Sequence, residues 1–326
     1  MDKKRIVNTE LDCSPIVLGS VLFGSKLTEE QSFRLMDTFV DAGGNMVDTA
    51  QVYANWLPGE RSLSETTVGR WMKARGNRAR LIVTTKGAHP EPSAPQIRRL
   101  TPELIAEDLE GSMRRLQVDE LDLYWLHRDD PSRPVGEILH AMNEWVQKGK
   151  IRYFGCSNWR THRMEEARAY ASEHGIQGFV ASQVSWSLAE VDLSRIEDTT
   201  LMHMDETMYR YHQERQMAVF AYSSQAQGLF SKLEESPAGM ADERIAKMYR
   251  LEENKRRYER AKQLSEELSV PISRVVLAYM LAQPIQTFPI VGCRTDEQLE
   301  DSLRAAEISL SPEQLAFLQG KTERAE

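Results

Sequence analysis

The stretch from 81 to 127, "LIVTTKGAHPEPSAPQIRRLTPELIAEDLEGSMRRLQVDELDLYWLH", carries the reading of the fold. It begins and ends on β-rich apolar runs, "LIVTTK" (81–86) and "LDLYWLH" (121–127). Between them "TPELIAEDLEGSMRRL" has clear helix signals, with Thr101 as N-cap, Pro102 at the first helical position, acids early and arginines late. Runs this continuously apolar imply parallel strands covered on both faces, so the stretch reads as one strand-helix-strand crossover.

Outward from this unit the alternation continues. Further strand-like runs are "IVLGS" (16–20), "NMVDT" (45–49), "IRYFGCS" (151–157), "FVASQ" (179–183), "AVFAYS" (218–223) and "TFPIV" (287–291), making eight in all. Helical stretches begin near Thr28, Leu63, Thr101, Val135, Arg160, Met204 and Asp296, with two more pieces at 255–268 and 271–282. Eight such units predict an α/β protein built as a (β/α)8 TIM barrel, one domain over 1–326. A doubly wound sheet would announce a Gly-rich turn after its first strand, but "VLGSVLFGS" (17–25) lacks the G-x-G-x-x-G spacing. Ahead of the first barrel strand, "KKRIVNTELDCSPI" (3–16) suggests a β-hairpin turning near Asn8-Thr9 and plugging the bottom of the barrel. Length beyond a typical barrel concentrates at 186–204, at the charge-dense 232–257 and in the C-terminal tail. The first of these follows a strand's C-terminal end, where barrel loops carry function, and "EVDLSRIEDTT" is too polar for core.

Composition narrows the function classes. The 326 residues carry a net charge of −8 with Lys and Arg dispersed, which argues against a nucleic-acid partner. The longest apolar run, "VVLAYMLA" (275–282), falls short of the ~18 residues of a membrane span, so no membrane partner is expected and the reading is cytoplasmic. Cys13, Cys156 and Cys293 lie far apart and read as packing residues rather than disulfide or metal ligands. Of seven histidines only His127 ends a strand, and no H-x-H or H-E-x-x-H occurs, so no metal is expected.

In a barrel the catalytic groups come from the C-terminal strand ends. Three successive runs end in Asp48, Lys86 and His127, and Tyr53 stands five residues beyond Asp48. A buried lysine needs a counter-ion, which Asp48 offers. A cation beside Tyr53 favours phenolate, which predicts a lowered phenol pKa and a usable general acid or base. His127 is placed to orient a carbonyl oxygen.

The segments "VDTAQVYANW" (47–56), "VTTKGAHP" (83–90), "DLYWLHRDDP" (122–131) and "GKIRYFGCSNW" (149–159) resemble the aldo-keto reductase superfamily, and the resemblance runs from Ile16 to about Ser309. It implies a barrel that binds NADP(H) and passes hydride between nicotinamide and a carbonyl or alcohol substrate, with a catalytic tetrad landing on Asp48, Tyr53, Lys86 and His127. It further implies that Ser157, Asn158 and Gln183 bind the nicotinamide carboxamide and that Tyr222 stacks on the ring. "SSQAQGLFS" (223–231) resembles the pyrophosphate loop, matching at Ser223, Gly228, Leu229 and Phe230 and departing at Ser224-Gln225. "VGCRTDEQLEDSL" (291–303) resembles the adenosine 2′-phosphate segment, with Gly292, Arg294, Gln298, Asp301 and Ser302 as its candidates and Thr295 as cap. Cys293 and Ser302 depart from the residues common there.

Phe23, Trp56, Trp159 and Trp186 follow strand ends and are expected to line the substrate mouth. The leading expectation is an NADP(H)-dependent reductase or dehydrogenase of aldehydes, ketones or sugars. The same superfamily also includes channel-associated β-subunits, so a regulatory, cofactor-sensing role is the alternative.

Overall fold

The protein is described by a computed structural model covering residues 1–91, 93–235, 243–249 and 251–322. Its strands are β1 (Lys4–Arg5), β2 (Asp12–Cys13), β3 (Val17–Gly19), β4 (Met46–Asp48), β5 (Ile82–Gly87), β6 (Leu121–Leu126), β7 (Ile151–Ser157), β8 (Ala181–Ser185), β9 (Ala218–Tyr222) and β10 (Thr287–Val291). Strands β3 to β10 are parallel and close into an eight-stranded barrel in chain order, β10 pairing with β3. This is the expected (β/α)8 barrel. The short strands β1 and β2 pair antiparallel as a hairpin.

The helices are α1 (Glu29–Asp41), α2 (Leu63–Arg75), α3 (Pro102–Leu116), α4 (Val135–Gln147), α5 (Thr161–His174), α6 (Glu206–Arg215), α7 (Leu229–Glu235), α8 (Glu243–Met248), α9 (Leu251–Leu268), α10 (Ile272–Leu281), α11 (Asp296–Arg304) and α12 (Pro312–Leu318). Their termini follow the sequence signals. Thr28 and Gln31 form a reciprocal capping box on α1, and Thr101 accepts from the Leu104 N–H with Pro102 in the first turn of α3. Of the charge-dense 232–257, residues 236–242 and 250 lie outside the described residues. In the remainder Ile245 and Tyr249 are buried in the cluster under β8 and β9.

Strand alternation sorts the barrel interior into two levels, since every second side chain points inward. Inward positions near the N-terminal ends are apolar: Val17, Met46, Ile82, Leu123, Ala181, Ala218 and Phe288 share one cluster with Ile6, Leu11 and Cys13 of the hairpin. The hairpin therefore plugs the bottom of the barrel. Phe220 stacks on Phe288 at 4.8 Å between centroids, and Trp125 meets Phe220 edge-on at 5.1 Å. Gly155 makes room for that indole: a Cβ there would stand 2.5 Å from the Trp125 ring. Two residues beyond Met46, Trp125, Gly155, Ala181 and Phe220 on the same inward rows stand Asp48, His127, Ser157, Gln183 and Tyr222, and four beyond Ile82 stands Lys86, at the C-terminal mouth.

All three cysteines are free and buried. β8 runs two residues later than the sequence suggested, so Gln183 lies within the strand rather than at its end. No helix of the described residues is long and apolar enough to cross a membrane.

Candidate active site

Asp48 ends β4, Lys86 lies near the end of β5, and His127 follows β6; β4, β5 and β6 are neighbours in the barrel. Their side chains converge. Lys86 Nζ donates to Asp48 Oδ2 at 2.6 Å, to the Thr49 carbonyl at 2.8 Å and to Tyr53 Oη at 3.0 Å. These contacts use all three ammonium donors. The ion pair is sealed, with side-chain exposures of 0% for Lys86 and 3% for Asp48. From the far side of the barrel, Gln183 Nε2 donates to Asp48 Oδ1 at 3.1 Å, so the carboxylate is held from two directions.

Electrostatics set the protonation states. Burial acts to lower the Lys86 ammonium, but Asp48 and Tyr53 outweigh it and its pKa is raised. The Tyr53 phenol departs from the sequence expectation: its pKa is raised, not lowered, because burial outweighs the nearby Lys86 charge. At neutral pH Tyr53 is therefore a protonated phenol, the form of a proton donor. His127 is pushed well below the usual imidazole range by burial, with His89, Arg128 and Lys86 adding to the effect. Its neutral ring meets Tyr53 edge-on at 6.2 Å between centroids, and its buried Nδ1 has no hydrogen-bond partner.

The residues matched to the carboxamide set also gather here. Ser157 and Asn158 are buried at the end of β7, with Asn158 in the left-handed region at φ 61°. Asn158 Nδ2 donates to Ser157 Oγ at 3.0 Å, and its Oδ1 accepts from Tyr222 Oη at 2.7 Å and the Met202 N–H at 2.9 Å. The 186–204 segment is thereby fastened to the site.

The remaining candidates divide. Ser223 is exposed with φ 55°, and Gly228 has φ 78°, while Leu229 and Phe230 bury their side chains in the core, leaving only backbone for a ligand. Thr295 caps α11 and the Gln298 side chain accepts from the Arg294 N–H at 2.9 Å. The Arg294 side chain is exposed, and among the described residues it has no acidic partner and nothing stands within 4 Å of a Cβ at Gly292. The two family departures meet: Gln225 Nε2 donates to Ser302 Oγ at 3.3 Å. Asp301 is a correction, because Arg274 at 2.7 Å and Ser273 Oγ at 2.5 Å on α10 take its carboxylate, so it fastens two helices instead of facing a ribose.

The expected aromatic mouth is also corrected. Phe23 and Trp159 are each 1% exposed and lie in the core between barrel and helices; Trp159 packs edge-on to Phe179 at 4.8 Å with Arg163 over its ring. Trp186 packs against Tyr209. Only Trp56 is open, at 52%.

Two residues escaped the sequence reading. His89 is partly buried, with its ring 4.7 Å from that of His127 and its pKa lowered to about 4, chiefly by burial. Arg128, next to His127, turns into the structure and donates from Nη1 to the His127 carbonyl at 2.9 Å. Both stood beside quoted motif residues, which was the available signal.

A phenol, an ammonium and a neutral imidazole thus gather at the mouth of the (β/α)8 barrel. The Aldo/keto reductase family profile matches residues 15–323. The chain is 33% identical over 324 residues to the uncharacterized oxidoreductase YrpG of Bacillus subtilis (strain 168), covering 98% of this chain and 95% of that one. It is 29% identical to an aryl-alcohol dehydrogenase [NADP(+)] of Phanerodontia chrysosporium, covering 94% and 82%, and 29% identical to norsolorinic acid reductase stcV of Emericella nidulans, covering 93% and 76%. The chain belongs to the aldo/keto reductase family and is an oxidoreductase.

Proposed function

We propose that the protein is an NADP(H)-dependent aldo-keto reductase, a single barrel domain acting in the cytoplasm, that interconverts small aldehydes or ketones and their alcohols with Tyr53 as general acid and base. The carrying observation is the Lys86 ammonium set between Asp48 and the Tyr53 hydroxyl. Bound NADPH supplies the hydride. Tyr53 holds the proton destined for the substrate oxygen, and the Lys86 charge, 3.0 Å away, stabilises the phenolate left when that proton departs. Asp48 and Gln183 keep Lys86 charged and fixed. The open nitrogen of His127 orients the substrate oxygen toward Tyr53.

The fit to the cofactor rests on the exposed Arg294 at the start of α11 and the open space before Gly292. Arg294 would take the 2′-phosphate, with Ser157, Asn158 and Tyr222 at the nicotinamide end. The relatives named for aryl alcohols and norsolorinic acid favour an aromatic carbonyl substrate. The test is consumption of NADPH against NADH over a panel of benzaldehydes, ketones and aldoses. Turnover of aromatic aldehydes with NADPH is expected, and no carbonyl-dependent turnover with either cofactor would contradict the reading.

A further inference from the structure

Arg128, next to His127, and Arg163 of α5 are both buried arginines, and they are held differently. Arg163 has two carboxylate partners: it pairs with Asp129 at 3.2 Å and Glu166 at 2.9 Å and donates to the carbonyls of Asp130 and Arg133. Arg128 is as deeply buried, with 8% side-chain exposure, yet its one carboxylate partner is Asp198 at 3.2 Å, whose side chain is 45% exposed on the 186–204 segment. Its other contacts are the Thr200 hydroxyl at 2.9 Å and the His127 carbonyl at 2.9 Å. Among the described residues three of five guanidinium N–H donors are thus engaged, and one on each Nη is uncommitted.

Asp198 does not depend on this pair. Its Oδ1 already accepts the Thr200 N–H at 2.9 Å and the Thr200 hydroxyl at 2.5 Å, so it can turn its other oxygen to water at little cost. A buried cation cannot lose its counter-ion as cheaply; it needs an anion in exchange. The guanidinium is also close enough to the reacting groups for its charge to act on Tyr53, His127, His89 and Tyr222.

From this geometry we propose that Arg128 is an anion-recognition residue of the substrate pocket, accepting a carboxylate carried by the carbonyl substrate in exchange for Asp198. The two uncommitted donors and the planar fork suit bidentate capture of a carboxylate. This inference rests on the reductase reading above and narrows it to carbonyl compounds bearing an acidic group.

The experiment compares kcat/KM for 4-carboxybenzaldehyde and its methyl ester with NADPH in the wild type, Arg128→Gln and Asp198→Asn. The wild type is expected to favour the carboxylate. Arg128→Gln lowers the carboxylate-to-ester ratio by roughly tenfold or more, the scale of a charged hydrogen bond. Asp198→Asn, which leaves the arginine in place and weakens its competitor, raises the ratio. A ratio unchanged by Arg128→Gln, with both substrates losing equally, overturns the proposal and leaves Arg128 as a brace for His127. Should the protein reduce neither compound, the reductase reading is left to the wider carbonyl panel, and benzoate still decides this one. Benzoate raising the Tm of the wild type but not of Arg128→Gln supports the anion site; equal shifts, or none, overturn it.

Discussion

The lower and upper levels of the barrel interior are built from the same strands and do opposite things. Below, Phe220, Phe288, Trp125, Met46 and the hairpin residues Ile6 and Leu11 fill the bore with apolar volume. Above, the same inward rows carry an ion pair, a phenol, an imidazole and amides. The lower level gains free energy by leaving water, whereas the upper level pays a desolvation cost that only exact pairing offsets. Stability and chemistry are thus separated along the barrel axis by a two-residue step.

The comparison breaks most visibly at Lys86. Lys86→Met leaves Asp48 buried without its cation and removes the charge that supports the phenolate. We expect a loss of roughly 10²-fold or more in kcat and about 3–5 kcal/mol in stability. Adding Asp48→Asn should recover stability in a denaturant titration without recovering turnover. In the lower level the pattern reverses. Phe288→Ala opens a cavity against Phe220 and should cost about 3–5 kcal/mol by chemical denaturation, while kcat per folded molecule stays within a few-fold. Stability kept with activity lost there would erase the distinction.

A smaller effect is expected at the rim. Arg294→Ala should weaken NADPH by about 1.5–3 kcal/mol in a fluorescence titration and leave NADH nearly unchanged. Equal losses would make Arg294 structural. The smallest effect lies outside the bore. His212 Nε2 meets Ser182 Oγ at 2.9 Å, and its pKa is lowered from 6.5 to about 4, chiefly by burial, against the hydrogen bond to the Met217 carbonyl. The unfolded chain takes up a proton that the fold refuses, so this contribution is complete above pH 6.5 and is lost as pH falls toward 4. His212→Asn should flatten the decline of Tm over that interval.

Much of this was legible in the sequence because both faces of each strand are apolar and the helix caps are explicit. The end of β8 was misplaced because "FVASQVSW" offers no Gly or Pro to stop the strand. Asp48, Lys86 and His127 were found by their shared position at strand ends, but the direction of the Tyr53 shift was not, since burial is a property of packing and cannot be read from neighbours in the chain. Phe23 and Trp159 follow strands as a mouth residue would, and only the helical layer above them makes them core. Arg128 escaped because its partners, Asp198 and Thr200, lie 70 and 72 positions away.

The central claim is that the proton given to the substrate oxygen comes from the Tyr53 hydroxyl, held by Lys86. Tyr53→Phe keeps the ring and removes that hydroxyl alone. The direct measurement is single-turnover reduction of an aromatic aldehyde by the variant with NADPH already bound. The account predicts unchanged NADPH affinity and a rate lower by roughly 10²-fold or more; a Tyr53→Phe protein that transfers hydride at the wild-type rate would contradict it.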